Sequence, residues 1–433
     1  MNQSLTTGFS KIISILVAII IILLPFHAFF TTLLGSNFNN LNVWKLWKEV
    51  ILLLLIPLSL YVVLKTPKLK IWLLNDWLPR LITIYIILNL ALGVWSYHSK
   101  SVNFTALIDG LITDLRFFTF FLIAGIASYK VKFLKTYWQE LIIYPAMVTV
   151  IFGLAQLFLP IDFLKHFGYG PKTTLAYETV DQKFKYHRIQ STLRGPNPFG
   201  AYLILIITAA LINLKKQKWF KILLIVLALI VLFFTYSRSA YLGLIVSLIG
   251  LFYLIKLKPA WHKKFLVVCV ILTIIFSGLV LALRYNSVAE NVFFHTDKSS
   301  KSKVSSNAQR LNAIKKGLSD VYYMPLGSGP GSAGPASVHN NHPARISENY
   351  FIQVAQETGL IGLIIFISIN IIVAVRLWLL RKDLLASLLL ASLLGITIVN
   401  MISHAWTDDT LSLIWWGMAG IVIFPGIIKN NKQ

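Results

Sequence analysis

Acidic residues are scarce in this chain of 433 residues: sixteen Asp and Glu face forty Lys and Arg, for a formal net charge of +24. Charge of either sign is scarce as well, at 13% of residues, where a soluble domain carries about 25%. With 57% hydrophobic residues and a mean hydropathy of +0.72, the chain has too little polar surface for an ordinary cytosolic enzyme. Cysteine is nearly absent. The single one, Cys269, lies inside an apolar run, which excludes intrachain disulfides and cysteine-rich metal centres. The basic excess would suggest nucleic acid in a soluble protein, but membrane proteins collect Lys and Arg on their cytoplasmic loops.

What the chain does have is long apolar runs, and a bilayer-spanning helix needs about 20 such residues. Runs at 12–34, 50–64, 78–97, 104–127, 137–159, 199–214, 222–236, 240–255, 265–283, 360–380, 384–402 and 411–428 predict an all-α polytopic membrane protein of about 12 transmembrane helices. The first run is long, lacks a small-residue cleavage site and precedes further spans, so it reads as retained. The order is five helices over 1–159, a loop at 160–198, four helices over 199–283, a large loop at 284–358 and three helices over 359–433, all one integrated membrane domain.

Lys65, Lys68, Lys70, Arg80, Lys130, Lys132 and Lys135 fall on one side of this layout. So do Lys215, Lys216, Lys218, Lys221, Lys256, Lys258, Lys263, Lys264, Arg381, Lys382, Lys429 and Lys432. Short connections on the other side carry only Lys45, Lys48, Lys100 and Arg238. The positive-inside rule then makes both termini cytoplasmic and both long loops extracytoplasmic. Topology absorbs about half of the basic residues, and no nucleic-acid partner is expected. Within the large loop, 297–306 reads as mobile or as a surface excursion. Leu311, Ile314 and Leu318 predict a short amphipathic helix over 307–320, and MPLGSGPGSAGP reads as a turn region.

Charges in or against a bilayer mark function, since each costs about 2.5–3.5 kcal/mol at a helix centre. Asp109, Asp114 and Arg116 in the fourth span read either as interhelical bonds or as the polar wall of an outward cavity. Arg188 and Arg194 precede the sixth span, Arg238 sits in a tight turn and Arg310 starts the loop helix. Singly, all but Arg238, which the three-residue turn holds in place, read as side chains snorkelling to head-group phosphates. If they converge, guanidinium forks would suit a pyrophosphate. Candidate bases are His339, His342, Glu348 and Glu357; Ser347 is a candidate helix cap that would make Glu348 a first-turn charge. His404, Asp408 and Asp409 read as surface loop in preference to cavity wall.

Four segments resemble the O-antigen ligase and polymerase superfamily of bacterial envelope glycosyltransferases. RIQSTLRGPNPFGAYL (188–203) is similar to its Arg-x-x-Gly-Thr followed by Pro-Asn, and TYSRSAYLGL (235–244) to its Thr-x-Ser-Arg turn. NAQRLNAIKKGLSDVYYMPLGSGPG (307–331) resembles its arginine-bearing helix and Pro-x-Gly-x-Gly-Pro-Gly, and SENYFIQVAQETGLIGL (347–363) its Asn-x-Tyr-Leu segment ending in Glu-x-Gly-x-x-Gly.

The resemblance implies an enzyme of the bacterial cytoplasmic (inner) membrane with an extracytoplasmic active site. It would transfer or polymerise a glycan from undecaprenyl pyrophosphate onto an acceptor hydroxyl, with no metal and no cofactor. By resemblance Arg188 and Arg238 hold the pyrophosphate, Arg310 assists, and Asn197 and Asn349 join the substrate-binding set with Arg194, whose position is small or polar in the family. Glu348 stands where ligases commonly carry the histidine that activates the acceptor. That difference leans toward the polymerase branch, with Glu348 as base and His339 or His342 as alternatives. Partners implied are the lipid-linked oligosaccharide, a glycan, lipid or protein acceptor, and the bilayer. The competing readings are a protein O-oligosaccharyltransferase and, in another class, a flippase. A flippase should carry midplane charges on many broken helices.

Overall fold

The computed structural model describes residues 2–180, 183–212, 217–254 and 306–430. The helices, in chain order, are α1 (Asn2–Leu23), α2 (His27–Phe38), α3 (Leu41–Lys45), α4 (Trp47–Leu64), α5 (Pro67–Asn75), α6 (Trp77–His98), α7 (Phe104–Lys130), α8 (Phe133–Thr136) and α9 (Trp138–Ala155). A hairpin of β1 (Glu178–Val180) and β2 (Lys183–Arg188) follows. Then come α10 (Pro196–Leu211), α11 (Lys218–Phe234), α12 (Arg238–Leu254), α13 (Ser306–Tyr323), α14 (Tyr350–Leu379), α15 (Leu384–Ile402) and α16 (Asp409–Asn430).

The protein is an all-α polytopic membrane protein. Among the described residues, eight helical segments are long and apolar enough to cross a membrane, and α10 and α12 are shorter apolar helices. Eleven expected spans fall on described helices. The twelfth, 265–283, lies outside the described residues, as do Cys269, the basic residues at 215, 216, 256, 258, 263, 264 and 432, and the stretch 297–305. The expected loop helix is α13.

Local chemistry sets the breaks. Pro25 stands in a 3-10 turn between α1 and α2, where its ring and missing N–H interrupt the helical ladder. The longest of the described helices differs from expectation: α14 begins at Tyr350, ten residues before the apolar run, and bends at Gly359, whose φ is +69°. The expected cap also differs. Asn349 caps α14, accepting from the Ile352 N–H at 3.0 Å, while the Ser347 hydroxyl donates to the Asn349 carbonyl.

Helix pairs α7/α16 and α12/α15 form the tightest seams. At the second, Gly395 lies against the Gly243 carbonyl, so any Cβ there would force the backbones apart. Phe117, Phe118, Trp415 and Trp416 fill the α7/α16 core, with Phe118 edge-on to Trp416 at 4.8 Å. The two ends of the bundle differ. At one, Arg376 pairs with Asp76 (2.7 Å) and Lys135 with Asp383 (2.6 Å). At the other, the starts of α4, α7, α10, α14 and α16 meet the hairpin and the glycine-rich loop, and the candidate residues gather there.

Candidate functional site

Antiparallel pairing puts Glu178 opposite Arg188 in the hairpin, and their side chains form an ion pair of 3.1 Å. Arg188 extends that link. Its Nη2 donates to Asn197 Oδ1 (2.6 Å), in the first turn of α10, and its Nε to the Thr235 carbonyl (2.8 Å) at the end of α11. One guanidinium thus joins the hairpin, the Pro-Asn segment and the Thr-x-Ser-Arg turn. Burial lowers its pKa, Glu178 opposes that shift, and the charge of Arg310 adds to it.

The turn leading to Arg238 is internally fixed. Thr235 Oγ1 donates to the Leu232 carbonyl (2.7 Å) and accepts from the Ser237 N–H (3.2 Å), while Tyr236 adopts φ +50°. Arg238, half-buried, then opens α12. Arg310 on α13 faces Glu348, with Nε 3.9 Å from a carboxylate oxygen. Glu348 holds φ +53°, the left-handed region where a side chain costs energy. Arg188, Arg310 and Glu348 therefore share one electrostatic neighbourhood. Asn349 is otherwise engaged: besides capping α14, it donates to the Met401 carbonyl at 2.9 Å.

The Pro-Gly loop between α13 and α14 is a buried plug. Gly327, Gly329, Gly331 and Gly334 all have positive φ. A Cβ on Gly331 would strike the Ala106 carbonyl of α7. Glu357 accepts from the Gly331 N–H (2.9 Å), and Asp320 accepts from Arg345 (3.1 Å) and Gln356 (2.8 Å). Glu357, read from sequence as a candidate base, is 1% exposed and occupied in holding this loop, with Asp114 buried beside it.

Arg194 departs from the expected convergence. It projects into a separate chamber of about 450 Å³, with Nε 3.5 Å from Asp408 Oδ2. On the chamber floor, Asp409 Oδ2 meets Lys48 Nζ (3.0 Å), His27 Nε2 (3.2 Å) and Arg116 Nη1 (3.7 Å). Glu49 takes the other sides of Lys48 (3.2 Å) and Arg116 (3.6 Å). At the rim, His339 Nε2 lies 3.1 Å from Asp109 Oδ2. Asp408 and Asp409 are thus buried wall, not surface loop. Asp109 and Arg116 line the chamber, whereas Asp114 faces away from it. His342 stays exposed against the Pro343 carbonyl. Sequence reasoning missed His27, Lys48, Glu49 and Glu178. The signal available was a polar residue inside an apolar run for His27, and charge at the edge of one for Lys48 and Glu49.

With this geometry in place, comparison with protein families adds one finding. Residues 223–367 match the family described as O-Antigen ligase. Over that segment the chain is O-antigen ligase-like. The match includes Arg238, Arg310, His339, Glu348 and the Pro-Gly plug, and it supports the superfamily resemblance and a ligase- or polymerase-like function in general. Such a function implies a glycosyltransferase-like membrane enzyme with lipid-linked glycan partners. Comparison with curated proteins returns no match.

Proposed function

We propose that this O-antigen ligase-like protein moves a glycan from undecaprenyl pyrophosphate to an acceptor hydroxyl at the outer face of the cytoplasmic membrane, with both termini inside. The observation that carries the reading is a carboxylate, Glu348, 3.9 Å from the Arg310 guanidinium, whose charge in turn acts on Arg188. This pairs a proton acceptor with cations suited to a departing pyrophosphate.

In the proposed step, Glu348 takes the acceptor's hydroxyl proton as the acceptor oxygen bonds to the anomeric carbon. The bond from that carbon to the pyrophosphate oxygen breaks, and the electron pair leaves on undecaprenyl pyrophosphate. Arg188, Arg310 and Arg238 stabilise the developing charge. Arg188 is held rigid by its three partners, so little reorganisation is needed as that charge appears.

The test gives purified protein lipid-linked repeat units, with and without candidate acceptors, and compares wild type with Arg238→Ala and Glu348→Gln. Longer lipid-linked chains from wild type alone support a polymerase. Product only on an added lipid or protein acceptor supports a ligase or an oligosaccharyltransferase. Turnover unchanged in both variants refutes the assignment of these residues. The imidazole of His339, already paired with Asp109, is the second candidate base, and His339→Gln tests it in the same assay.

A further inference from the structure

The chamber beside the arginine cluster has a distinctive charge pattern. Its walls carry Lys45, Lys48, Arg116 and Arg194 against Glu49, Asp109, Asp408, Asp409 and Glu178; Lys48, Arg116 and Arg194 are each paired with a carboxylate, Lys45 feels the opposite charge of Asp109, and Glu178 pairs with Arg188. A site for a free anion would present a cationic excess, and a site for a cation would leave carboxylates uncommitted. Fixed ion pairs instead offer alternating donors and acceptors with little net field, which suits a neutral molecule rich in hydroxyls. The size suits a small ligand, since such sites run to about 300–1,000 Å³, and this one is about 450 Å³.

Position narrows the ligand further. Glu178 lines the chamber and also pairs with Arg188, so one carboxylate separates the two compartments. The rim residues Asp109, Arg194 and His339 are exposed, while Lys48, Asp408 and Asp409 on the floor are buried. Arg116 lies seven residues beyond the rim residue Asp109 on α7, about 10 Å along its axis at 1.5 Å per residue, so the chamber has depth as well as an open rim.

We infer that this chamber is a sugar-binding compartment, seating the hydroxyls of a glycan unit while the arginine cluster engages the pyrophosphate. The inference rests on the transferase reading above. The sugar has two sources with the same chemistry, the donor's glycan and the acceptor's.

Full-length protein in nanodiscs would be tested for binding of three probes: undecaprenyl pyrophosphate, the lipid-linked repeat unit, and the free repeat unit released from it by mild acid. Thr113→Trp fills the chamber from α7, and Asp109→Asn alters its rim with little change in volume. Thermal unfolding of each variant reports whether it folds. If Thr113→Trp does not, Asp109→Asn carries the test through loss of one hydrogen-bonding charge.

A loss of about tenfold in affinity for the lipid-linked unit, with undecaprenyl pyrophosphate unchanged, places the donor glycan in the chamber. The same loss confined to the free unit places the acceptor there. Unchanged binding of both glycans, with wild type binding all three probes, overturns the compartment and leaves the transferase reading intact. Wild type that binds neither the lipid pyrophosphate nor either glycan overturns the transferase reading, and the compartment falls with it.

Discussion

Replacing Arg188 by lysine tests whether guanidinium geometry, and not charge alone, serves the reaction. The wild-type side chain makes three directed contacts, to Glu178 (3.1 Å), Asn197 (2.6 Å) and the Thr235 carbonyl (2.8 Å). A lysine ammonium is a compact charge that cannot reproduce a planar fork spanning three elements. Hydrogen bonds to charged groups contribute about 1.5–3 kcal/mol each, so losing two and keeping one removes roughly 3 kcal/mol even at the low end. If that energy serves to hold the cation against the departing pyrophosphate, Arg188→Lys lowers kcat/KM by about 10²-fold, with most of the loss in kcat. The assay is single-turnover conversion of the lipid-linked repeat unit, with the unfolding midpoint recorded on the same sample. Arg188→Ala sets the floor. Activity of Arg188→Lys within about threefold of wild type, at an unchanged midpoint, would refute the reasoning, because charge alone would then suffice.

Asp409→Asn leaves Lys48 and Arg116 sharing Glu49 alone. Losing one partner of a buried pair costs about 3–5 kcal/mol, and the remaining glutamate holds the loss near the lower figure, read as a fall in denaturant or thermal midpoint. Gly331→Ala, at φ +80° against the Ala106 carbonyl, destabilises by about 1–3 kcal/mol or more. Gly170→Ala, which meets nothing within 4 Å, serves as the unchanged control in the same melt. Burial, with Arg194 adding to it, lowers the pKa of His404 from 6.5 to about 4. The unfolded chain therefore binds the extra proton first: this contribution to stability is complete above pH 6.5 and is lost as pH falls toward 4. His404→Gln flattens that part of the pH–stability curve.

Much of the fold was legible because a bilayer imposes one dominant rule, and apolar runs of span length register it directly. The amphipathic spacing of Leu311, Ile314 and Leu318 likewise marked α13. Features set by other forces were not legible. The apolar run does not announce that α14 starts at Tyr350, since Gln353, Gln356, Glu357 and Thr358 interrupt its first turns, and all four are buried, with Gln353 and Gln356 both under 4% exposed. The β1/β2 hairpin was missed for a similar reason. β1 is only three residues long and β2 six, too short for a pattern to stand out, and pairing across the ladder defines them.

The site divides along the same line. Arg188, Arg238, Arg310 and Glu348 could be picked out because each sits in a short ordered motif, and the last three lie within the matched segment 223–367. Arg194 lay in such a motif too, yet the fold carries it to Asp408 in the chamber instead of to the other arginines. The chamber itself joins His27 and Lys48 near one end of the chain to Asp409 near the other, with Arg116 between. Taken singly in sequence, each is only a polar residue within or beside an apolar run, and no local pattern relates them. Most of these walls also fall outside the matched segment, while the candidate base and two of the proposed pyrophosphate-binding arginines fall inside it. Under the transferase reading that partition has a physical sense. Handling a pyrophosphate makes the same demand on any such enzyme, whereas the sugar's hydroxyl pattern differs from one glycan to the next, so the compartment that reads it is built largely from residues outside the shared motifs.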